Sequence, residues 1–186
     1  VSPTARERLD TLYGRLDAFF DRVKARYGGP AGVTCHAGCS DCCRRFSVTA
    51  LEAEVVAEGV AALPEEARGR VAARARREGE DEACPALEAD GRCAVYAHRP
   101  AICRTHGLPI RFAPASPRSL PMAPVDACPK NFGGVDLEGL PADCVLDQAT
   151  VSTVIGALDA ARAAEVGGAR GERVEMAMVL ERGPNA

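Results

Sequence analysis

Apolar residues recur at helical spacing near both ends of the chain and lose all period in the middle. Residues 2–27 carry Leu9, Leu12, Leu16, Phe19, Phe20, Val23 and Tyr27 on one face of a long helix. Ser2-Pro3 suits its start, Thr4 with Glu7 has the spacing of a capping box, and Gly28-Gly29-Pro30 stops it. Thr49 and Glu52 repeat the capping pattern ahead of Leu51, Val55, Val56, Val60 and Leu63, predicting a second helix over 49–63. Pro64 then opens a polar third helix running to about Gly79. Its Arg68, Arg70, Arg74, Arg76 and Arg77 read as a solvated face, closed by the acidic cluster Glu78, Glu80, Asp81 and Glu82. Residues 142–166 predict a fourth helix from Val145, Leu146, Val151, Val154, Ile155 and Leu158, stopped by Gly167-Gly168. Residues 172–182 fit a short strand or a helical turn equally well.

Between the helices, residues 84–141 hold nine prolines and no sustained period. A short hairpin is predicted around Asp90-Gly91, with Cys93 to Tyr96 as the return strand, and a helical turn from Pro100 to Arg104. A structureless stretch this long is unusual in a compact domain, so something other than regular structure must order it. The expected fold class is therefore mainly α. It is a single helical domain with a long irregular cysteine- and proline-rich metal-binding segment. The length of 186 residues fits one domain, 1–186, whose motif core spans about 35–130. With no Trp and only 4% aromatic residues, its core should be aliphatic and thin.

The candidate chemistry lies in the cysteines. Cys35, Cys39, Cys42 and Cys43 form a C-x3-C-x2-C-C knuckle, and Cys84, Cys93, Cys103 and Cys128 follow in the proline-rich segment. Eight thiols in two groups point to zinc or to an iron–sulfur centre. They suit two four-coordinate sites or one larger cluster. Adjacent Cys42 and Cys43 side chains are expected to diverge, so the pair would serve different metals or bridge two. Cys144 stands outside both groups and reads as a small buried apolar residue. A disulfide framework fits poorly: the nine cysteines are an odd number, and Cys42-Cys43 cannot close on itself without strain.

Charge supports the same placement. The chain carries −3 overall, yet residues 84–130 hold six basic against three acidic residues. Nearby Arg would offset thiolate charge. Arg104, directly after Cys103, and His106 are candidates for groups that touch the metal's ligands rather than the metal. The reading of Arg99 is that it holds the loop through carbonyls. Tyr96 is read as a packing residue with its hydroxyl paired. The basic excess is too small to argue for nucleic acid. No stretch approaches the roughly 18 apolar residues of a membrane span, and no basic-then-apolar segment opens the sequence. A cytoplasmic protein whose partners are metal ions, with a protein partner or peptide substrate left open, is expected.

The second group sits in elements that sharpen this. The chain reads Cys84-Pro85-Ala86-Leu87, Cys93-Ala94-Val95-Tyr96 and Arg99-Pro100-Ala101-Ile102-Cys103-Arg104, all downstream of the knuckle. In that order they resemble the CxxCxxCC family of YkgJ-type cysteine-cluster proteins, a zinc- or iron-chelating domain, over about residues 35–106. The resemblance implies a small, largely helical metal-binding domain. It maps the knuckle onto Cys35, Cys39, Cys42 and Cys43, and the three elements onto Cys84, Cys93 and Cys103; Cys128 joins them on its Cys-Pro context. A related pattern occurs in flagellin lysine methylases, but this chain is shorter and lacks a Gly-rich S-adenosylmethionine loop, so methyl transfer is not carried over. The knuckle's first three cysteines also have radical-SAM spacing, yet the repeated β–α units of that fold are missing. No P-loop, H-E-x-x-H, G-x-S-x-G or dinucleotide fingerprint is present. The leading expectation is an iron–sulfur cluster or related iron centre with redox or catalytic service. A zinc-binding structural, interaction or metal-handling module and an iron-dependent enzyme modifying a peptide or small molecule stand beside it.

Overall fold

The computed structural model describes residues 3–77, 83–112 and 124–183. Their elements in chain order are α1 (Ala5–Tyr27), β1 (Ser47–Thr49), α2 (Ala50–Ala61), α3 (Glu65–Ala75), α4 (Ala101–Thr105), β2 (Ile110–Arg111), β3 (Val125–Asp126), β4 (Leu146–Asp147), α5 (Gln148–Val166), β5 (Arg173–Glu175) and α6 (Met176–Arg182). Six helices with two small sheets make this a mixed α and β architecture, not the mainly α one expected. Backbone groups of the irregular stretches need partners, and short ladders supply some of them. The chain divides into two compact units, Val1–Cys35 with Arg104–Leu158, and His36–Cys103 with Asp159–Ala186.

In the first unit, α1 begins with the predicted capping box. The Glu7 N–H donates to Thr4 Oγ1 at 3.2 Å, and the Thr4 N–H returns to Glu7 Oε2 at 2.8 Å. Lys24 and Arg26 occupy its last turn, where cations complement the helix dipole, and Gly28 ends it. Its inner face packs Phe19, Phe20, Val23 and Tyr27 with Val33, Leu108, Phe132 and Cys144. The sheet order is β3-β2-β4, with Ile110 opposite Asp126 antiparallel and opposite Leu146 parallel. The predicted helix over 142–166 starts later than its apolar pattern suggested. Ala142–Cys144 is a single 3-10 turn, and Leu146–Asp147 is extended because the Leu146 N–H is taken by Pro109 O at 2.8 Å. Asp147 then caps α5: its carboxylate accepts the Thr150 N–H at 3.0 Å and the Thr150 hydroxyl at 2.9 Å.

In the second unit, β1 pairs antiparallel with β5, with Val48 opposite Val174, and α6 packs on α2 and α3. Val56, Val60, Val71, Val179 and Leu180 form the centre of its core. Residues 172–182 adopt both open alternatives in turn, strand then helix, the switch marked by Met176 N–H donating to Phe46 O at 2.9 Å. Helix α3 ends at Ala75, short of the expected Gly79, and the acidic residues beyond Arg77 lie outside the described residues. Its arginines are not simply a solvated face. Arg74 is half-buried and donates to Pro85 O at 2.8 Å and to Glu88 Oε1 at 2.9 Å. Among the described residues, no helix is long and apolar enough to cross a membrane.

Candidate metal centre

None of the nine cysteines is in a disulfide. Six of them, Cys39, Cys42, Cys43, Cys84, Cys93 and Cys103, belong to the second unit. The knuckle is built from two consecutive turns, Cys39 N–H to His36 O at 3.1 Å and Cys43 N–H to Ser40 O at 2.8 Å. A tighter turn follows, closed by Arg44 N–H to Cys42 O at 3.0 Å. It bends the chain at Cys43, and the two adjacent thiols act on each other electrostatically.

The predicted hairpin forms as a two-sided turn. Leu87 bridges Cys93 antiparallel, Ala94 N–H donates to Ala86 O at 2.8 Å, and Glu88 N–H donates to Arg92 O at 2.8 Å. Gly91 at the tip has φ +78°, and a Cβ there would stand 2.6 Å from Gly38 O, so the hairpin tip rests directly on the knuckle backbone. The expected return strand from Cys93 to Tyr96 does not form beyond the single bridge at Cys93: Ala94 and Val95 lie in a turn, and Tyr96 begins a 3-10 turn and is 62% exposed rather than packed. Its ring faces the Arg99 guanidinium at 4.1 Å, while Arg99 holds the Tyr96 carbonyl at 3.1 Å. The knuckle joins the segment that leads into the hairpin turn through Cys84 N–H to Cys43 O at 2.9 Å and a bridge between Arg44 and Ala83. Cys103 arrives on α4. The first amide of that helix, Ala101 N–H, donates at 3.0 Å to the buried Glu52 carboxylate, whose other oxygen completes the α2 capping box.

Four separate stretches of sequence thus bring Cys43, Cys84, Cys93 and Cys103 into one neighbourhood. Every pair among these four thiols interacts electrostatically, and Cys42 reaches Cys43 and Cys103. Cys84 is buried and packs with Cys43 and Cys93 against the valine core. Burial pushes the Cys84, Cys93 and Cys103 thiols up, and neighbouring thiols push Cys84 and Cys103 further. Arg45 and Arg74 act in the opposite sense on Cys84, as Arg99 does on Cys93 and Cys103. Cys103 is exposed as a residue, yet burial is the largest influence pushing its thiol up. The two adjacent thiols act on each other in opposite senses, pushing Cys42 up and holding Cys43 below the ordinary thiol value. A donor set of soft sulfur with adjacent guanidinium charge fits zinc or iron. Among the described residues, no three His, Cys, Asp or Glu side chains stand at the spacing of a preformed ion site.

Of the remaining candidates, Cys39 and Cys42 stay with the knuckle in the second unit, and the others belong to the first. Cys35 and Cys128 belong to the first unit. There, Asn131, which sequence reasoning missed, donates to Cys35 Sγ at 3.3 Å, and its own N–H donates to Cys128 O at 2.7 Å. Arg104 is buried, paired with Asp17 and stacked over the Tyr13 ring at 4.2 Å. His106 is exposed, and partial burial of its imidazole holds it below the ordinary histidine value. Cys144 is fully buried in the core, with Arg26 Nη1 at 3.8 Å and Asp143 Oδ1 at 3.7 Å from its sulfur. Glu52 and Arg74 were legible only as a cap and a surface charge; their second contacts, to Ala101 and Pro85, have no sequence signal.

The hairpin, the knuckle and the α4 cysteine together reproduce the order of elements noted in the sequence. Residues 34–116 match the CxxCxxCC family. Its description reads "Putative zinc- or iron-chelating domain", which supports metal binding. The CxxCxxCC match takes in seven of the eight candidate ligands and ends before Cys128. No curated protein and no solved structure matches the chain.

Proposed function

We infer that this chain binds an iron–sulfur cluster or related iron centre, held chiefly by Cys43, Cys84, Cys93 and Cys103, and serves in redox chemistry. The observation that carries this reading is the mutual approach of those four thiols from the knuckle, both sides of the hairpin and α4. Such a group supplies one-electron chemistry when bound. The chain's own contribution is to hold four sulfurs on short, cross-braced turns and to offset their charge with Arg45, Arg74 and Arg99. Cys42 lies beside the set and is exposed as a residue, which suits a centre that exchanges electrons with a partner better than one sealed for structure alone.

The test is metal and acid-labile sulfide content on anaerobically purified protein, with a visible spectrum. Iron, sulfide and thiolate-to-iron absorbance are expected. A colourless protein with stoichiometric zinc would overturn the iron reading in favour of a zinc module. Cys84→Ser is expected to abolish metal retention; Cys144→Ser is expected to leave it unchanged.

A further inference from the structure

Asn131 is 5% exposed, and its side-chain amide is engaged on both oxygen and nitrogen. Its Oδ1 accepts the Thr34 N–H at 3.0 Å and lies 2.9 Å from the Thr34 hydroxyl. Its Nδ2 donates to Gly107 O at 2.7 Å and to Cys35 Sγ at 3.3 Å. The orientation of the amide is fixed by chemistry: only an oxygen can accept the Thr34 N–H, and only a nitrogen can donate to the Gly107 carbonyl. The group facing Cys35 is therefore an N–H donor, and the sulfur is its acceptor. The site allows little alternative. Gly107 has φ +94°, and a Cβ there would stand 2.8 Å from Cys35 Sγ and 2.9 Å from Asn131 Nδ2. Lys24 Nζ holds the Cys35 carbonyl at 2.8 Å, so backbone and sulfur of this cysteine are both tethered.

We propose that Asn131 is a positioning residue for Cys35 as a metal ligand, fixing the orientation of its sulfur and donating a hydrogen bond to it. This rests on the reading that the cysteines bind metal. It extends that reading to a cysteine of the first unit and to a residue beyond the CxxCxxCC match. An ordinary structural asparagine would be satisfied by backbone groups. This one spends a donor on a thiol, which is a weak acceptor when protonated and a strong one when deprotonated or metal-bound.

The experiment is a double-mutant cycle on metal-stripped protein titrated anaerobically with Co2+, reading affinity and the thiolate-to-cobalt absorption band. Asn131→Asp keeps the contacts to Thr34 and replaces the donor to both Cys35 Sγ and Gly107 O with an acceptor, and the Cys35→Ala background separates the two losses. The substitution is expected to weaken Co2+ binding by about 10- to 100-fold and to change the band. In a Cys35→Ala background the same substitution should have no further effect. An undiminished effect in that background would make Asn131 merely structural and overturn the proposal. So would a Cys35→Ala protein with wild-type affinity and band. Should Asn131→Asp not fold, Asn131→Ser takes its place in the cycle. Cys84→Ser separates the two readings: loss of Co2+ there, with Cys35→Ala silent, sinks this proposal and leaves the four-thiol site standing. A wild-type chain that takes up no Co2+ and no iron on anaerobic reconstitution with iron and sulfide overturns both.

Discussion

At the scale of single residues, the chain places its chemistry by backbone constraint as much as by side-chain choice. Gly91 and Gly107 both have positive φ and both sit where a methyl group would strike a neighbour, the Gly38 carbonyl in one case and the Cys35 sulfur in the other. Gly107→Ala is expected to cost about 1–2 kcal/mol from the left-handed backbone alone, with the contact to Cys35 and Asn131 adding to it. A urea-denaturation midpoint equal to wild type would refute that assignment. The sequence displays such glycines but not their reason, because the group each one must admit comes from a distant stretch. The cysteines were legible as a set by type and spacing. Which of them meet was not, since the approach of Cys43 to Cys84 depends on a turn at Cys43 and a pairing between Arg44 and Ala83 that no local pattern announces.

At the scale of elements, signals that act within four residues were readable and signals that act across the chain were not. Both capping boxes were visible as Thr4 with Glu7 and Thr49 with Glu52, because cap and partner lie within one helical turn. The start of α5 was misplaced because Val145 and Leu146 continue its apolar pattern, while the deciding contacts are the non-local ladder to Ile110 and the cap at Asp147. That cap is testable. Asp147→Ala is expected to destabilise the protein by about 1 kcal/mol near neutral pH. Two hydrogen bonds from Thr150 hold the Asp147 carboxyl below the ordinary range, so its contribution is present above the unfolded value and is lost as pH falls through the folded one. The gap between wild type and variant in a denaturation series should therefore close well below the ordinary Asp value of about 3.9. A gap that persists there would show that Asp147 acts through something other than its charge.

At the scale of the whole molecule, the thin aliphatic core expected from composition makes metal part of the folding argument. Half of the second unit's buried core is valine, and its hairpin is held by a handful of backbone hydrogen bonds instead of a sheet. Fully burying a valine or leucine yields about 1.5–3 kcal/mol, and ordering a residue of backbone costs about 1–2 kcal/mol. Residues 83–100 order many backbones around few such side chains. Ligation of Cys43, Cys84, Cys93 and Cys103 would cross-link knuckle, hairpin and α4, so binding free energy becomes folding free energy there. Chelator treatment should then lower the thermal midpoint. It should also erase amide exchange protection unevenly: the Cys84 and Ala94 N–H groups, which donate to Cys43 O and Ala86 O, should lose more than amides in the middle of α1. Hydrogen exchange on metal-loaded and metal-stripped protein measures both sets at once. Equal loss across them would mean that the metal steadies the chain globally. Loss confined to the cysteine turns would mean that it is what gives the proline-rich segment a structure to hold.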